Sequence, residues 1–269
     1  MILTSFFTDE VAADIGESLL AGRQAGAQSV ELRSAIYGKR IDQLTEEELL
    51  NLSRLLVGND LTVACIASSF GKCELDSDEE WRTHQEILRG SVRAAQMLHT
   101  SIIRVFPFWT PGKRELPRPG IEDYLDRIVA CMKWAVRLAE DAGVVLCFET
   151  EASTHSGTCR EARLIVDALG PSQALGVTWD MNNAWYAGHE HPLQEGYPWI
   201  RGLVRHLHVK PNKKGTIETI GDSSTSYVEV LRVLIGDGFT GAASIEHWGS
   251  PDMMLTGICQ LRRVLDRLQ

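Results

Sequence analysis

The amino-acid sequence predicts an α/β fold in which eight parallel strands alternate with helices and close into a single-domain (β/α)8 barrel. The first observation is the pattern, because short apolar runs typical of strands alternate with longer amphipathic segments along the whole chain. The second is the length of 269 residues, which is usual for one such barrel. The third is the lack of a linker or low-complexity stretch, so residues 1–269 are expected to form one domain.

The individual strands and helices follow in order from this pattern. Predicted strands span residues 2–6, 29–32, 61–67, 101–106, 144–149, 174–179, 204–209 and 242–246. Predicted helices span residues 14–25, 45–57, 78–98, 121–142, 159–169, 192–201, 224–236 and 252–268. Thr45 with Glu48 and Ser77 with Glu80 predict capping boxes at the starts of two helices. Gly143 predicts the end of a third helix, the one over residues 121–142.

An open, doubly wound sheet is the alternative arrangement of such alternating segments. Sheets of that kind usually carry a glycine-rich loop, such as GxGxxG, after the first strand. Here the first predicted strand is followed by Phe7-Thr8-Asp9-Glu10-Val11, which contains no glycine. The closed barrel is therefore favoured. The sequence also lacks a P-loop, an HExxH motif and a nucleophile elbow.

Composition narrows the classes of partner and compartment. The chain has 27 basic and 36 acidic residues and a formal charge of −9, which argues against a nucleic-acid partner because phosphate binding needs a basic surface. The six cysteines form no CxxC pair, a pattern typical of a reducing compartment. Neither a signal peptide nor an apolar run of roughly 18 residues is recognisable, so a soluble, cytoplasmic protein without membrane contact is expected.

The ends of the last four predicted strands carry residues that bind metal ions in proteins. Active sites of (β/α)8 barrels lie at the carboxyl ends of the strands. Because side chains alternate across a strand, Glu149, Asp180, His208 and Glu246 are expected to point into the barrel and converge near its axis. Taken singly, each acidic residue is equally consistent with a solvated loop charge. Four successive strand ends of this kind favour a common site.

Three carboxylates and one imidazole form a mixed oxygen and nitrogen ligand set. Such a set suits one divalent metal ion, Mn²⁺, Mg²⁺, Co²⁺ or Zn²⁺, and leaves room for oxygens of a substrate. Without a cation, three converging carboxylates would repel one another and at least one would take up a proton. The alternative for His206 and His208 is a role as polar groups packed inside the barrel.

Further side chains on the same loops are candidates for contacting a substrate. Several have a simpler interpretation: Glu31 and Arg33 would pair with each other, and Lys210 would balance the carboxylates. His155 would be a free loop histidine, and Trp109 part of an apolar loop core. The candidates are Glu31, Arg33, Trp109, Glu151, His155, Asn183, His206 and Lys210.

At these residues the chain resembles the xylose isomerase-like TIM barrel superfamily, the sugar phosphate isomerase/epimerase group, over nearly its whole length. The metal ligands of that superfamily match Glu149, Asp180, His208 and Glu246 of this chain one for one. The remaining matching stretches are Asp9-Glu10, Gly26-Ala27-Gln28-Ser29-Val30-Glu31-Leu32-Arg33, Ile103-Arg104-Val105-Phe106 and Gly238-Phe239-Thr240-Gly241-Ala242 leading into Ile245-Glu246.

Two positions depart from the family pattern. Where the family commonly has Asp-x-x-His, this chain ends the motif in Asn183, and where it often has His-x-Lys-Asp, this chain ends in Pro211. Asn183 can hydrogen-bond a hydroxyl group but cannot titrate near neutral pH. The four metal-binding positions keep their residue types, whereas the family pattern no longer determines the substrate or the exact proton relay.

The resemblance implies a metal-dependent isomerase or epimerase that acts on a keto-sugar, sugar acid or related polyol through an enediolate. Glu149 and Glu246, on opposite sides of the ion, would accept and donate the proton, with a small-molecule carbohydrate as substrate and a homodimer by analogy. Dehydration of a keto-polyol uses the same intermediate and stays open. A metal-dependent endonuclease is a second alternative, although such enzymes carry more histidines. A non-catalytic ligand-binding barrel is a third, because of Asn183.

Overall fold

Eight strands hydrogen-bond in parallel into a nearly closed barrel in the computed structural model, with helices between successive strands. The predicted (β/α)8 barrel is thus confirmed and the doubly wound sheet is wrong. The structure describes residues 1–113, 115, 117–188 and 191–269. The strands are β1 (Leu3–Phe6), β2 (Ser29–Leu32), β3 (Thr62–Ala67), β4 (Ile102–Val105), β5 (Val145–Glu149), β6 (Leu175–Asp180), β7 (Val204–Val209) and β8 (Ala242–Ile245).

Each strand pairs with its neighbours in the chain, and β8 returns to pair with β1. The seam between β1 and β2 closes through a parallel bridge between Phe7 and Glu31 and through the Gln28 N–H, which donates to the Thr4 carbonyl at 2.9 Å. Because all strands run in one direction, their carboxyl ends meet at one rim. The sequence-predicted site residues on β5 to β8 therefore share that rim.

Nine α-helices occur within the described ranges. They are α1 (Ile15–Gln24), α2 (Glu46–Gly58), α3 (Asp78–Met97), α4 (Leu125–Ala142), α5 (Cys159–Leu169), α6 (Met181–Tyr186), α7 (Tyr197–Ile200), α8 (Tyr227–Gly236) and α9 (Pro251–Leu268). Short 3₁₀ helices cover Thr8–Glu10, Ile41–Gln43 and Ile121–Asp123, and a π-helical turn covers Pro192–Gly196. Gly143 ends α4 in the left-handed conformation (φ 69°), as predicted.

The connection between β6 and β7 differs from the sequence prediction. The helix predicted over residues 192–201 is a π-helical turn followed by the single-turn α7. The sequence pattern missed α6, which begins directly after β6 because the Asp180 carboxylate accepts the Asn183 N–H at 2.8 Å. Six residues are too few for a helical period to show in the sequence. This helix places Asn183 at the rim.

One of the two predicted capping boxes forms. At α2 the Glu48 N–H donates to Thr45 Oγ1 and the Thr45 N–H donates to Glu48 Oε2. At α3 Ser77 accepts the Glu80 N–H, but the Glu80 carboxylate binds the Glu74 N–H at 2.9 Å instead of returning to Ser77. The Ser77 N–H already donates to the Glu74 carbonyl, which explains why the second box is wrong.

The outward faces of the strands pack against the helices in one apolar layer. Within it Trp179 of β6 stacks on Tyr197 of α7, with ring centroids 5.4 Å apart. The barrel interior beneath the rim is partly polar, since Glu31, His206 and Ser244 are fully buried there. Among the described residues, no helix combines the length and apolar character needed to cross a membrane.

Candidate metal centre

Glu149, Asp180, His208 and Glu246 lie together at the carboxyl-end rim. Each offers one ligand atom, and these atoms all lie within 4.8 Å of one another. His208 Nδ1 faces all three carboxylates, at 3.1 Å from Glu246, 3.5 Å from Glu149 and 3.7 Å from Asp180. Opposite ligands of an ion with bonds of about 2.1 Å are roughly 4.2 Å apart, so this spacing is compatible with one divalent ion.

The polar atoms of the cluster fit a cation because three of them are buried without a hydrogen-bond partner in the described part of the chain. These atoms are Asp180 Oδ2, His208 Nδ1 and Glu246 Oε2. Asp180 Oδ2 makes an ion-pair contact of 2.5 Å with Lys210 Nζ without hydrogen-bond geometry. Buried acceptors of this kind are costly unless they bind something. A divalent ion satisfies all three at once.

Glu31 orients the imidazole of His208. Glu31 Oε1 lies 3.2 Å from His208 Nε2, and Glu31 Oε2 lies 2.7 Å from His206 Nε2. This pairing assigns a proton to His208 Nε2 and leaves the Nδ1 lone pair facing the carboxylates, the arrangement usual for metal-binding histidines. Glu31 and His206 are fully buried beneath His208, so the structure places both in support of the cluster.

The two glutamates are ionised at neutral pH. Burial by itself would raise the pKa of Glu149, but Arg104 and His208 lower it to about 2. Burial opposes ionisation of Glu246 as well, and Lys210 and His208 hold its pKa well below the usual range. Ionised carboxylates are the form that binds a cation or accepts a proton.

His208 holds a proton when no cation neutralises the carboxylates. Burial lowers the pKa of His208, but Glu31, Glu246 and Glu149 together raise it well above the usual value. A cation that binds Nδ1 must therefore displace a proton, and binding releases that proton to solvent.

Lys210 and Asn183 connect the carboxylates. Lys210 Nζ lies 2.5 Å from Asp180 Oδ2 and 3.4 Å from Glu246 Oε2, and it donates to Asn183 Oδ1 at 3.3 Å. Asn183 Nδ2 donates in turn to Glu149 Oε1 at 3.2 Å. The residue that departs from the family pattern thus holds one of the two glutamates in place.

A cavity of about 580 Å³ opens at this rim, with Glu149 and Glu246 in its wall. The predicted substrate residues divide between the wall and the surrounding structure. Arg33, Glu151, Asn183 and Lys210 line the cavity, whereas Glu31, Trp109, His155 and His206 are not among its described lining residues.

Arg33 does not pair with Glu31, and the interpretation of that pair is wrong. Arg33 contacts Asp9 and Glu10 at 2.9 Å each and Glu246 at 3.4 Å. The reason is strand geometry: Glu31 lies on β2 and points into the barrel, whereas Arg33 follows the end of β2 at the rim.

The predicted loop residues His155 and Trp109 lie outside the described lining of the cavity. His155 is buried rather than free, and its ring lies 4.6 Å from that of Tyr124. Burial and nearby arginines lower its pKa to about 4. The Trp109 ring lies 5.5 Å from Lys72 Nζ and 4.9 Å from Lys113 Nζ.

Sequence reasoning missed five charged residues of the cavity wall: Arg40, Asp42, Lys72, Arg104 and His247. Arg104 had a usable signal, because an arginine inside an otherwise apolar strand must find a buried partner, here Glu149 Oε2 at 2.7 Å. Lys72 lies in a loop, where side chains follow no periodic pattern that would indicate their direction. His247 follows β8 and bridges Glu10 and Glu246 at 3.2 Å each, contacts that raise its pKa to about 9.

We expect Glu31→Gln to weaken Mn²⁺ binding by about 10- to 100-fold, because the amide keeps the shape but cannot accept protons from both imidazoles. Calorimetric titration of the metal-free protein with Mn²⁺ measures the effect. Ser244→Ala is the matched control, since Ser244 Oγ hydrogen-bonds the far imidazole, His206, at 3.0 Å rather than His208. Equal Mn²⁺ affinity in Glu31→Gln and the unaltered protein would contradict a positioning role.

Fold and site together define a class of protein: a (β/α)8 barrel whose rim carries a candidate divalent-cation centre. A sequence model of the xylose isomerase-like TIM barrel family matches residues 19–267. The chain belongs to this family.

A relative, an uncharacterised protein from Methanocaldococcus jannaschii, is 27% identical over 166 residues, which cover 60% of this chain and 56% of the relative. The chain thus spans little more than half the length of that relative.

Solved structures share the fold over almost the whole chain. A D-tagatose 3-epimerase-like protein has a TM-score of 0.77 at 19% identity and covers 99% of this chain and 98% of its own. A probable 3-DHS dehydratase of Bacillus anthracis scores 0.74 at 15% identity, with coverages of 98% and 99%. A xylose isomerase-like protein of Mycobacterium smegmatis in complex with magnesium has a TM-score of 0.72 at 15% identity, and the match covers 94% of this chain and 89% of that protein. At these identities the likeness shows the fold.

Proposed function

We propose that this protein is a divalent-metal-dependent isomerase or epimerase that acts on a keto-sugar, sugar acid or related polyol through an enediolate. One observation carries the proposal: two ionised glutamates, Glu149 and Glu246, line one cavity and both face Nδ1 of His208, at 3.5 and 3.1 Å. An epimerase that returns the proton to the opposite face of the carbon needs two such groups beside a source of positive charge.

The two glutamates are held by different partners. Glu149 on β5 is fixed by Arg104 at 2.7 Å and by the Asn183 amide at 3.2 Å. Glu246 after β8 is fixed by Arg33 at 3.4 Å and by His247 at 3.2 Å. Each carboxylate therefore keeps its orientation while it takes a proton from, or returns one to, a carbon between them.

The ion, when bound, supplies positive charge beside the oxygens of the substrate. Glu149, Asp180, His208 and Glu246 would hold it, and Mn²⁺, Mg²⁺, Co²⁺ and Zn²⁺ all accept this ligand set. The magnesium complex of the Mycobacterium smegmatis protein and the D-tagatose 3-epimerase-like neighbour support the choice of a metal enzyme acting on a carbohydrate.

Dehydration is the second candidate, favoured by the structural likeness to the probable 3-DHS dehydratase. It begins with the same proton removal and differs in the next step, because a hydroxyl leaves as water instead of the proton being returned. The products separate the two reactions, since a dehydratase product is lighter by one water.

We expect the protein, dialysed and then reloaded with Mn²⁺, to retain about one ion per chain by elemental analysis. The loaded protein should then exchange the hydrogen next to the carbonyl of its keto-sugar substrate with deuterium from solvent. A panel of keto-sugars and keto-polyols, followed by proton NMR, measures this exchange. About three ions per chain would favour the endonuclease. No retained ion under any loading would overturn the proposal.

A further inference from the structure

The cavity at the rim extends beyond the carboxylate cluster to two walls on opposite sides of the barrel. Tyr186, at the end of α6 after β6, lines one side, and Arg40 with Asp42, in the connection after β2, lines the other. In the ring of eight strands β2 and β6 lie opposite each other. A volume of about 580 Å³ is in the range that encloses drug-sized ligands. A single hexose is smaller than such a ligand, so a hexose held between Glu149 and Glu246 leaves the outer part of the cavity unfilled.

Tyr186 presents an aromatic ring at the mouth of the cavity, where the residue is 60% exposed. Its neighbour Trp185 contacts it, with ring centroids 4.8 Å apart. Trp185 packs in turn on Gly221, which has φ +55° and where a Cβ would lie 2.7 Å from the indole ring. Only glycine leaves room for this contact. The loop after β7 thus fixes the end of α6 and holds the tyrosine ring at the mouth.

Asn182 carries an unused hydrogen-bond acceptor in the same wall. Its Oδ1 is buried and has no hydrogen-bond partner among the described residues, and the residue lines the cavity. Asn182 stands beside Asn183, whose amide donates to Glu149 at 3.2 Å, so the unused oxygen borders the reacting centre. A buried amide oxygen of this kind is costly unless something donates to it. A hydroxyl group of a ligand supplies such a donor.

The opposite wall carries a neutral ion pair. Arg40 donates through Nε and Nη2 to the two oxygens of Asp42, at 3.0 and 2.9 Å. This pairing occupies two of the five guanidinium N–H donors, and the carboxylate can accept more than these two bonds. Because Asp42 already balances the charge of Arg40, this wall suits a neutral group with several hydroxyls better than an anion.

A pyranose ring matches both walls. It has a face of C–H groups that packs on an aromatic ring, and an edge of hydroxyl groups that donate and accept hydrogen bonds. An apolar aromatic substituent would also pack on Tyr186, but it would leave Asn182 Oδ1 buried without a donor. The polar groups of the two walls therefore favour a sugar ring over an apolar group.

We propose that the outer part of the cavity is a subsite for a second, neutral sugar ring. Its residues are Arg40, Asp42, Asn182 and Tyr186. The inference rests on the proposed function in taking the keto-sugar end of the substrate to lie at the carboxylate cluster. The substrate class is then a keto-sugar that carries a second sugar ring, a keto-disaccharide, rather than a monosaccharide.

The test compares four probes by calorimetry on the Mn²⁺-loaded protein. They are D-fructose and the keto-disaccharides turanose, maltulose and isomaltulose, which carry glucose on three different hydroxyls of fructose. We expect at least one disaccharide to bind about tenfold or more tightly than fructose, because aromatic packing and hydrogen bonds in the subsite act only on the added ring.

Tyr186→Ala should remove most of this preference, and Tyr186→Phe should retain it, since phenylalanine keeps the ring. Trp199→Ala is the matched control, because it removes an exposed aromatic ring outside the described lining of the cavity. This control should show the same preference for the disaccharide as the unaltered protein.

The subsite is wrong if no disaccharide binds more tightly than fructose, whether or not fructose itself binds. It is also wrong if Tyr186→Ala weakens fructose and the disaccharide equally, since this would indicate a merely structural role at the end of α6. These readouts are independent of turnover. A disaccharide preference without hydrogen exchange on any probe would keep the subsite and count against the isomerase, whereas exchange on fructose without disaccharide preference would do the reverse.

Discussion

Glu246→Gln is expected to lower turnover by about three orders of magnitude, because the amide cannot accept or donate the transferred proton. The barrel should remain folded, since Gln has the same shape and its oxygen can still accept from His247. Measurements at saturating Mn²⁺ separate loss of proton transfer from loss of the ion. In deuterated solvent the variant should still exchange the hydrogen of one epimer through Glu149, while the interconversion of the two epimers is lost.

The control for this prediction is Glu229→Gln, which makes the same change at an exposed position in the first turn of α8. It should turn over like the unaltered protein. Full activity of Glu246→Gln at saturating metal would remove Glu246 from the proton transfer. Loss of exchange in both epimers would indicate that one carboxylate serves both proton transfers.

Asp180→Ala is expected to abolish retention of the divalent ion and to destabilise the fold by about 3–5 kcal/mol. Asp180 is fully buried and faces Lys210 at 2.5 Å, so its removal leaves a buried ammonium without its closest counter-charge. Burial alone would lower the pKa of Lys210, and Asp180 is the largest of the contributions that raise it. Elemental analysis and urea unfolding, both with and without Mn²⁺, measure the two effects.

Asp180→Asn is the matched variant, because its side-chain oxygen can still accept the Asn183 N–H that begins α6. It should lose the ion as Asp180→Ala does but keep the helix cap, which is worth about 1 kcal/mol. Stabilisation of either variant by Mn²⁺ to the same extent as the unaltered protein would show that Asp180 is not a ligand.

The convergence of the candidate ligands was predictable because it depends on two local rules. Alternation along each strand selects the inward face, and parallel strands bring their carboxyl ends to one rim. The same rules did not predict the role of Glu31, which was expected to contact the substrate. Its partners His206 and His208 lie 175 and 177 residues away along the chain. Only closure of the barrel brings β2 opposite β7.

The loop residues were the least predictable part of the site. His155 is buried against Tyr124, and Lys72 reaches Phe106, because main-chain hydrogen bonds join separate loops. Loops have no side-chain period, so sequence spacing does not indicate which way a residue points. Asp180 has two roles that the sequence could not show together. It caps the start of α6 and also faces His208, and a six-residue helix is too short to leave a periodic pattern in the sequence.

The sequence by itself determined the barrel, the position of each strand within one residue and the set of carboxylate and imidazole groups at one rim. These follow from the apolar period and from alternation, which are properties of neighbouring residues. The tertiary structure decided which charges meet: Glu31 with His206, Arg104 with Glu149 and Lys210 with Asp180. Coulomb energies depend on distance through space, and the closed barrel sets those distances between residues far apart in the chain.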